Sequence, residues 1–271
     1  MTQTIPHEDE HEQAGKDRNF VTALARGLEL LRAFGAGEEY LGNADLSSRT
    51  GIPRPTVSRL TYTLTQLGYL QRNPEIEKYR LGAGVLALGY RYLANMGIRD
   101  IARPHLQRLA DATDCSVSLG TADRTSMMYL ETCHGGGPLI MRLEVGARLP
   151  MATSAIGRAW LCGISTERRQ QIMEELKDIH QGDWARVEAG LEKSLAEYRE
   201  FGFCLSEGDW QPEVSAVALP LVLEGGAEVM ALNCGGSSLR LTHDKLVKSL
   251  GPKLRGIAND IVGVLEPSRS G

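Results

Sequence analysis

Residues 44–60 read Ala-Asp-Leu-Ser-Ser-Arg-Thr-Gly-Ile-Pro-Arg-Pro-Thr-Val-Ser-Arg-Leu, two helical patterns separated by a short turn. The first pattern, from Asn43 or Ala44 to Thr50, offers Ala44 and Leu46 to a core. It stops at Gly51, a residue suited to the left-handed conformation that ends a helix. The second runs from Arg54 to Leu67 and carries Val57, Leu60, Leu64 and Leu67 at increments of three and four, one apolar stripe. A turn as short as Gly51-Ile52-Pro53 forces the two helices to cross steeply, which is the helix-turn-helix arrangement. At about 100° per residue, Pro55, Ser58, Arg59, Tyr62 and Gln66 point away from the stripe, on a polar face that carries an arginine.

Working outward, Leu24, Leu28, Leu31 and Phe34 recur at helical spacing before Gly35 to Gly37 stop that helix. Ahead of it, residues 1–18 are polar and acidic without apolar periodicity, the composition of a disordered tail. Downstream, Tyr69 to Arg72 and Lys78 to Leu81 read as two strands, with Asn73-Pro74-Glu75 supplying the turn. This hairpin is a wing. From Val85 to Asn95, Leu86, Leu88 and Leu93, with Met96 just beyond, interleave with Tyr90 and Tyr92, more apolar surface than one packing face needs. The segment reads as a linker helix that also contacts a second subunit, and Pro104 as a break before a helix from His105 to Thr113.

The remainder reads as α+β. Strands are expected at Ser116–Thr121, Met127–Cys133, Leu139–Glu144, Gly202–Ser206, Val214–Leu223 and Glu228–Gly235. Helices are expected at Ser154–Cys162, Thr166–Ile179, Trp184–Phe201 and Thr242–Leu265. Helices packed on a mostly antiparallel sheet would bury that core. The expected divisions are a tail over 1–18, a winged helix-turn-helix over 19–82, a linker and dimerisation helix over 83–103, and an effector-binding domain over 104–267.

The formal net charge of -4 argues at first against nucleic acid, but it is unevenly spread. Glu8, Asp9, Glu10 and Glu12 stand in the first 15 residues without a cation, while residues 16–81 hold ten Lys or Arg against seven Asp or Glu. No long apolar run predicts a membrane span and no secretory signal opens the chain, so a cytoplasmic location is expected. Cys115, Cys133, Cys162, Cys204 and Cys234 are odd in number and widely spaced, as buried thiols in a reducing compartment would be. They lack the paired spacing of a zinc site, so no metal and no cofactor are expected. Neither a Gly-x-Ser-x-Gly elbow, a phosphate loop, a dinucleotide fingerprint nor a His-Glu-x-x-His motif occurs. Cys133-His134 beside Gly135-Gly136-Gly137-Pro138 is a poor nucleophile and base, because adjacent strand residues face opposite ways. The chain does not read as an enzyme.

The stretches 44–53, Thr56-Val57-Ser58-Arg59-Leu60, Leu67-Gly68-Tyr69-Leu70 and Tyr79-Arg80-Leu81-Gly82 resemble the IclR family of regulators. Gly146, Leu149-Pro150, Ala155, Gly157-Arg158-Ala159 and Ala218-Leu219-Pro220 extend the likeness over residues 20–265. The resemblance implies an N-terminal winged helix on double-stranded DNA, a dimerising linker helix and a C-terminal domain, GAF- or profilin-like, that binds a small effector. It also implies a homodimer, with pairs of dimers forming a homotetramer on one operator, acting as repressor, activator or both.

On the DNA side, Arg54 and Arg59 suit the groove, since an Arg can donate two hydrogen bonds to a guanine edge. Thr56 and Ser58 bond base or phosphate with less discrimination, and Tyr62 shares the outward face. Pro55 stands where the family usually has a small residue such as Ser, and removes a phosphate donor. Arg72, Lys78 and Arg80 on the wing would touch phosphate. On the effector side, Thr153 or Ser154 caps a helix whose first N–H groups, at Ala155 and Ile156, suit a carboxylate. Asn233 and Gly235 share one side of a strand facing it. Family pocket positions point to Ala155, Ile156, Ser206 or Glu207, Ala216, Asn233 and Gly235, with Leu143 extending the apolar wall. Ala216 and Asn233 differ from the residues of the family's small-acid sensors, which directs the expectation to a small organic or aromatic carboxylate.

Overall fold

The computed structural model describes residues 18–35, 37–137 and 143–266. The acidic stretch 1–17 and most of the strand expected over 139–144 lie outside the described residues. Two compact units divide the chain between Asn95 and Met96.

The first unit contains α1 (Thr22–Arg32), α2 (Asn43–Thr50), α3 (Arg54–Gln66), β1 (Leu70–Asn73), β2 (Lys78–Leu81) and α4 (Ala83–Ala94). The turn between α2 and α3 is built as its residues dictate. Gly51 takes the left-handed conformation at φ 68° and donates its N–H to the Ser47 carbonyl, while the Ser47 hydroxyl donates to the Ile52 carbonyl at 2.8 Å. At the other end of α2, Asp45 accepts from the Gly42 N–H at 2.9 Å, satisfying a helix-start donor that would otherwise be orphaned. Leu30, Leu41, Leu46, Ile52, Val57, Leu64, Leu70 and Tyr79 close the core. β1 and β2 pair antiparallel from Leu70–Leu81 to Asn73–Lys78, and Leu41 bridges to Tyr79 beside them.

Two apolar stripes differ from the periodicity reading. α3 buries Val57, Thr61 and Leu64, whereas Leu67 is 63% exposed. Thr61 can replace a leucine in the core because its hydroxyl donates back to the Val57 carbonyl at 3.0 Å, leaving only its methyl to pack. On α1 the inward residues are Gly27 and Leu30, and Leu24 and Leu28 are exposed. Leu24, Leu28, Leu31, Leu60, Leu67 and Leu88 instead line an apolar groove on this unit's surface. None of the residues of α4 is buried within the unit.

The second unit is a six-stranded sheet in the order β5-β4-β3-β8-β7-β6, antiparallel throughout. Its strands are β3 (Ser116–Asp123), β4 (Ser126–His134), β5 (Arg148–Pro150), β6 (Cys204–Glu207), β7 (Val214–Leu223) and β8 (Glu228–Ser237). α5 (Gly97–Thr113) and α9 (Gly251–Leu265) pack on each other and on the sheet. α6 (Ala155–Gly163) packs on β7, β8 and β6 and is backed by α8 (Trp184–Phe201), with α7 (Thr166–Ile179) between α6 and α8 in sequence. Small side chains at Ala216, Ala218 and Ala231 line the strands under α6. β5 is too short to leave a periodic signal in the sequence.

Pro104 does not break a helix, contrary to expectation. α5 runs through it, burying Ile98, Ala102, Leu106, Leu109 and Ala110, and Pro104 sits on the exposed side. The Asp100 carbonyl that loses its partner can therefore meet water, and five buried contacts outweigh a proline penalty of about 3 kcal/mol. α5 is also tied to β4 electrostatically: buried Glu131 accepts from Arg99 at 2.8 Å and Arg103 at 2.7 Å. No helix of the described residues is long and apolar enough to cross a membrane.

The pairing of β4 with β3 is interrupted at Leu130. β4 pairs Glu131 with Leu119 but Tyr129 with Gly120, so Leu130 is an extra residue, a β-bulge. Regular alternation would turn Tyr129 and Glu131 to one face. The bulge instead aligns Tyr129 with Thr132, whose hydroxyl lies 2.8 Å from that of Ser118, and sends Glu131 to α5.

Candidate functional site

The first unit presents α3. Arg54, Pro55, Ser58, Arg59 and Tyr62 are exposed along it and Thr56 is half-buried. Arg54 and Arg59 form no ion pair among the described residues, and Arg59 also edges the apolar groove beside Leu60 and Thr63. The wing cations differ: Arg72 pairs with Glu77, Lys78 with Asp45 at 3.7 Å and Arg80 with Glu39 at 3.3 Å. Each meets a carboxylate that would compete with a phosphate. The start of α3 is a poorer anion site than its dipole implies, because both Thr56 and Val57 donate to the Pro53 carbonyl and Pro55 has no N–H. Only the Arg54 N–H is left free there by the helix geometry.

The second unit holds a cavity between α6 and the sheet. Leu143, Ala155, Ile156, Ser206, Ala216, Asn233 and Gly235 all line it. Glu207 does not; its carboxylate turns toward His243 at 3.2 Å and Lys193 at 3.9 Å. Of the alternatives Ser206 and Glu207, the alternation of β6 therefore sends Ser206 inward, where its hydroxyl donates to the Thr153 carbonyl at 3.1 Å. Ser154 caps α6 by accepting from the Gly157 N–H. Helix geometry leaves the buried N–H groups of Ala155 and Ile156 without intrahelical acceptors.

Opposite them, the Asn233 amide donates to the Tyr129 hydroxyl at 3.1 Å, and its buried Oδ1 has no hydrogen-bond partner. Burial raises the Tyr129 pKa and keeps the phenol neutral. It can thus either accept from the amide, as here, or donate to it if the amide turns over. In the orientation seen here the buried Oδ1 is left without a protein partner. Ser154, named from the sequence as a helix cap, also lines the cavity, as do Tyr129, Trp210, Arg240 and Cys115, which sequence reasoning did not select. Tyr129 depends on the bulge, which has no sequence signature. Trp210 and Arg240 come from irregular segments beyond the strands, and Cys115 from just before β3.

Arg158 holds the cavity's walls together. Its side chain is 4% exposed and reaches Asp209 at 2.7 Å. It also donates to the carbonyls of Ala152 at 3.0 Å and Leu205 at 3.4 Å. One guanidinium thus joins the loop before α6, strand β6 and the turn that carries Trp210. Gly157 makes the fold-back of that loop possible, since a Cβ there would stand 2.2 Å from the Met151 carbonyl oxygen.

Cys133 and His134 lie on β4 and face apart: the Cys133 sulfur meets the Arg103 carbonyl at 3.8 Å, and His134 Nδ1 lies 2.9 Å from the Ser116 hydroxyl. Among the described residues, no group of His, Cys, Asp or Glu converges as a metal site.

Residues 90–262 match the family model described as bacterial transcriptional regulator IclR C-terminal, and residues 23–74 match the IclR helix-turn-helix domain. The chain belongs to the IclR family of transcriptional regulators. It is 32% identical to the HTH-type transcriptional regulator TsaQ1/TsaQ2 of Comamonas testosteroni, over 99% of this chain and 96% of that one. The crystal structure of an IclR family transcriptional regulator from Brucella abortus has 39% identity and a TM-score of 0.87, covering 97% of this chain and 98% of the other. An IclR homolog from Microbacterium hydrocarbonoxydans, complexed with 4-hydroxybenzoate, shares the fold at 22% identity and a TM-score of 0.70, over 91% of this chain and 100% of that one. IclR regulators bind DNA through the helix-turn-helix and are not enzymes, so α3 belongs to the DNA-binding domain and the cavity to the C-terminal regulatory domain.

Proposed function

We propose that this IclR-family regulator reads operator DNA with α3, positions itself with the wing, and senses a small organic or aromatic carboxylate in the cavity under α6. The observation that carries the effector reading is the buried Asn233 side chain with an unpartnered polar atom, facing the open N–H groups of Ala155 and Ile156. A buried polar atom without a partner is costly, and a ligand that supplies one recovers that cost. A carboxylate oxygen fits the helix start and its positive dipole end, and Leu143, Leu149, Ile156 and Trp210 supply apolar walls for a ring or short chain. The 4-hydroxybenzoate bound by the Microbacterium homolog makes that acid the first probe.

Titration calorimetry with 4-hydroxybenzoate and a panel of small carboxylates tests this. Asn233→Leu keeps the branching at Cγ and removes the amide. It is expected to weaken the tightest binder by about tenfold, the scale of one hydrogen bond to a charged group. Equal affinity in both proteins would remove Asn233 from the site.

The working unit in this reading is a cytoplasmic homodimer, two of which join on one operator. The support is α4, where Leu86 is 74% and Tyr90 68% exposed on a helix with no buried residue. Such a surface is covered most simply by a second copy. Sedimentation velocity is expected to give a dimer or larger for the wild type and a monomer for Leu86→Glu combined with Tyr90→Glu. Identical sedimentation of the two would exclude α4 from the interface. A ligand changes DNA affinity in such a dimer only by binding its two arrangements unequally.

A further inference from the structure

The Sγ atoms of Cys162 and Cys204 lie 3.5 Å apart. Neither residue lines the cavity, and effector binding there makes no use of either. Cys162 lies near the end of α6 and Cys204 opens β6, and both sulfurs also approach the Ser194 carbonyl on α8, at 4.0 and 3.5 Å. Three elements therefore hold two reduced thiols in contact. A disulfide needs the sulfurs about 2.05 Å apart, so closure requires an approach of about 1.5 Å, within reach of small side-chain rotations.

We propose that Cys162 and Cys204 are an oxidation site that closes to a reversible disulfide when the protein meets a hydroperoxide. The two sulfurs have different access. Cys162 is half-buried and can be reached, while Cys204 is fully buried. Their acidities differ in the matching sense. The hydrogen bond from Cys204 lowers the Cys162 pKa against the opposing effect of burial, and Arg169 and Arg199 add to the lowering. Sharing that hydrogen bond, and then burial, raise the pKa of Cys204. Cys162 is thus the thiolate that attacks and Cys204 the thiol that resolves.

In the first step the Cys162 thiolate attacks a hydroperoxide oxygen and the O–O bond breaks. This gives a sulfenic acid and an alkoxide, which takes a proton from water and leaves as the alcohol. In the second, the Cys204 sulfur attacks Cys162 Sγ, the S–O bond breaks, and the departing hydroxide takes the Cys204 proton and leaves as water. Overall, two thiols and one hydroperoxide give a disulfide, an alcohol and water. Cys115 and Cys234 also neighbour each other, their hydrogen bond lowering the Cys115 pKa to about 6. Both are buried and Cys115 meets solvent only through the cavity it lines, so this is the rival pair that the test must separate.

The test uses the full-length reduced protein and cumene hydroperoxide. Expected are an intact mass lower by two hydrogens, a non-reduced peptide pair joining Cys162 to Cys204, and recovery of both thiols with dithiothreitol. Before closure Cys162 should react about tenfold faster than Cys133, whose pKa is raised chiefly by burial. In Cys204→Ser, dimedone should trap a sulfenic acid on Cys162. In Cys162→Ser, Cys204 should stay unlabelled. A cross-link confined to Cys115 and Cys234, even labelling of all five cysteines, or an unchanged mass under conditions that oxidise free glutathione would each overturn the assignment. The wild-type peptide map decides the question even if a variant folds poorly.

Discussion

Arg158→Met is expected to destabilise the second unit by about 3 kcal/mol, the low end for a broken buried ion pair because Asp209 is 37% exposed. Methionine fills much of the arginine stem's volume but leaves the Asp209 carboxylate and the carbonyls of Ala152 and Leu205 without their donor. Unsatisfied groups of this kind cost more than the intact bonds contribute. Urea unfolding followed by tryptophan fluorescence checks it, since Trp160, Trp184 and Trp210 all belong to this unit. Arg158→Met with Asp209→Asn should recover part of the loss, because the second change removes the stranded charge. A loss below about 1 kcal/mol, the scale of an exposed pair, would show that Arg158 does not hold the walls together.

The second large effect is expected at the DNA. Arg54→Ala and Arg59→Ala should each weaken operator binding by roughly 1–3 kcal/mol, the worth of a bidentate base contact. Both side chains are exposed and without an ion pair among the described residues, so neither must give up a carboxylate to reach a base. Arg72→Ala should cost less, because Glu77 already neutralises that cation in the free protein. Titrations across a salt series separate the roles. Loss of a base contact flattens discrimination between operator and mutated operator, whereas loss of a phosphate contact weakens both equally and reduces the salt slope by about one. Arg59→Ala with discrimination intact would make Arg59 a phosphate contact or a wall of the apolar groove.

Local chemistry made the DNA-binding half legible. Gly51 ends α2 because it can adopt a positive φ, and Ile52-Pro53 leave no room for a longer turn. The helix-turn-helix comes from residues close together in sequence. Periodicity was less reliable about which leucines face inward. α1 and α3 each carry two apolar lines, and only packing selects one of them; Thr61 hid from the pattern because its hydroxyl is absorbed by its own helix. Pro104 misled for a related reason. A proline forbids one hydrogen bond, but whether that stops a helix depends on whether the orphaned carbonyl faces water.

The effector half divides along the same line. Thr153-Ser154 before an apolar run announces a helix start, and the two-residue period puts Asn233 and Gly235 together, because both depend on neighbours in the chain. Glu207, by contrast, was one of two adjacent candidates until the register of β6 against β7 turned Ser206 inward. The Leu130 bulge that brings Tyr129 to Asn233, the Arg158 clamp on Asp209, and the contact of Cys162 with Cys204 join residues from 42 to 104 positions apart. By itself the sequence determined a winged helix followed by an α+β domain, since propensity, capping and periodicity act over a few residues. Only the tertiary structure decided which polar groups share the cavity, because strand register, a bulge and the packing of α6 are set by the sum of distant contacts.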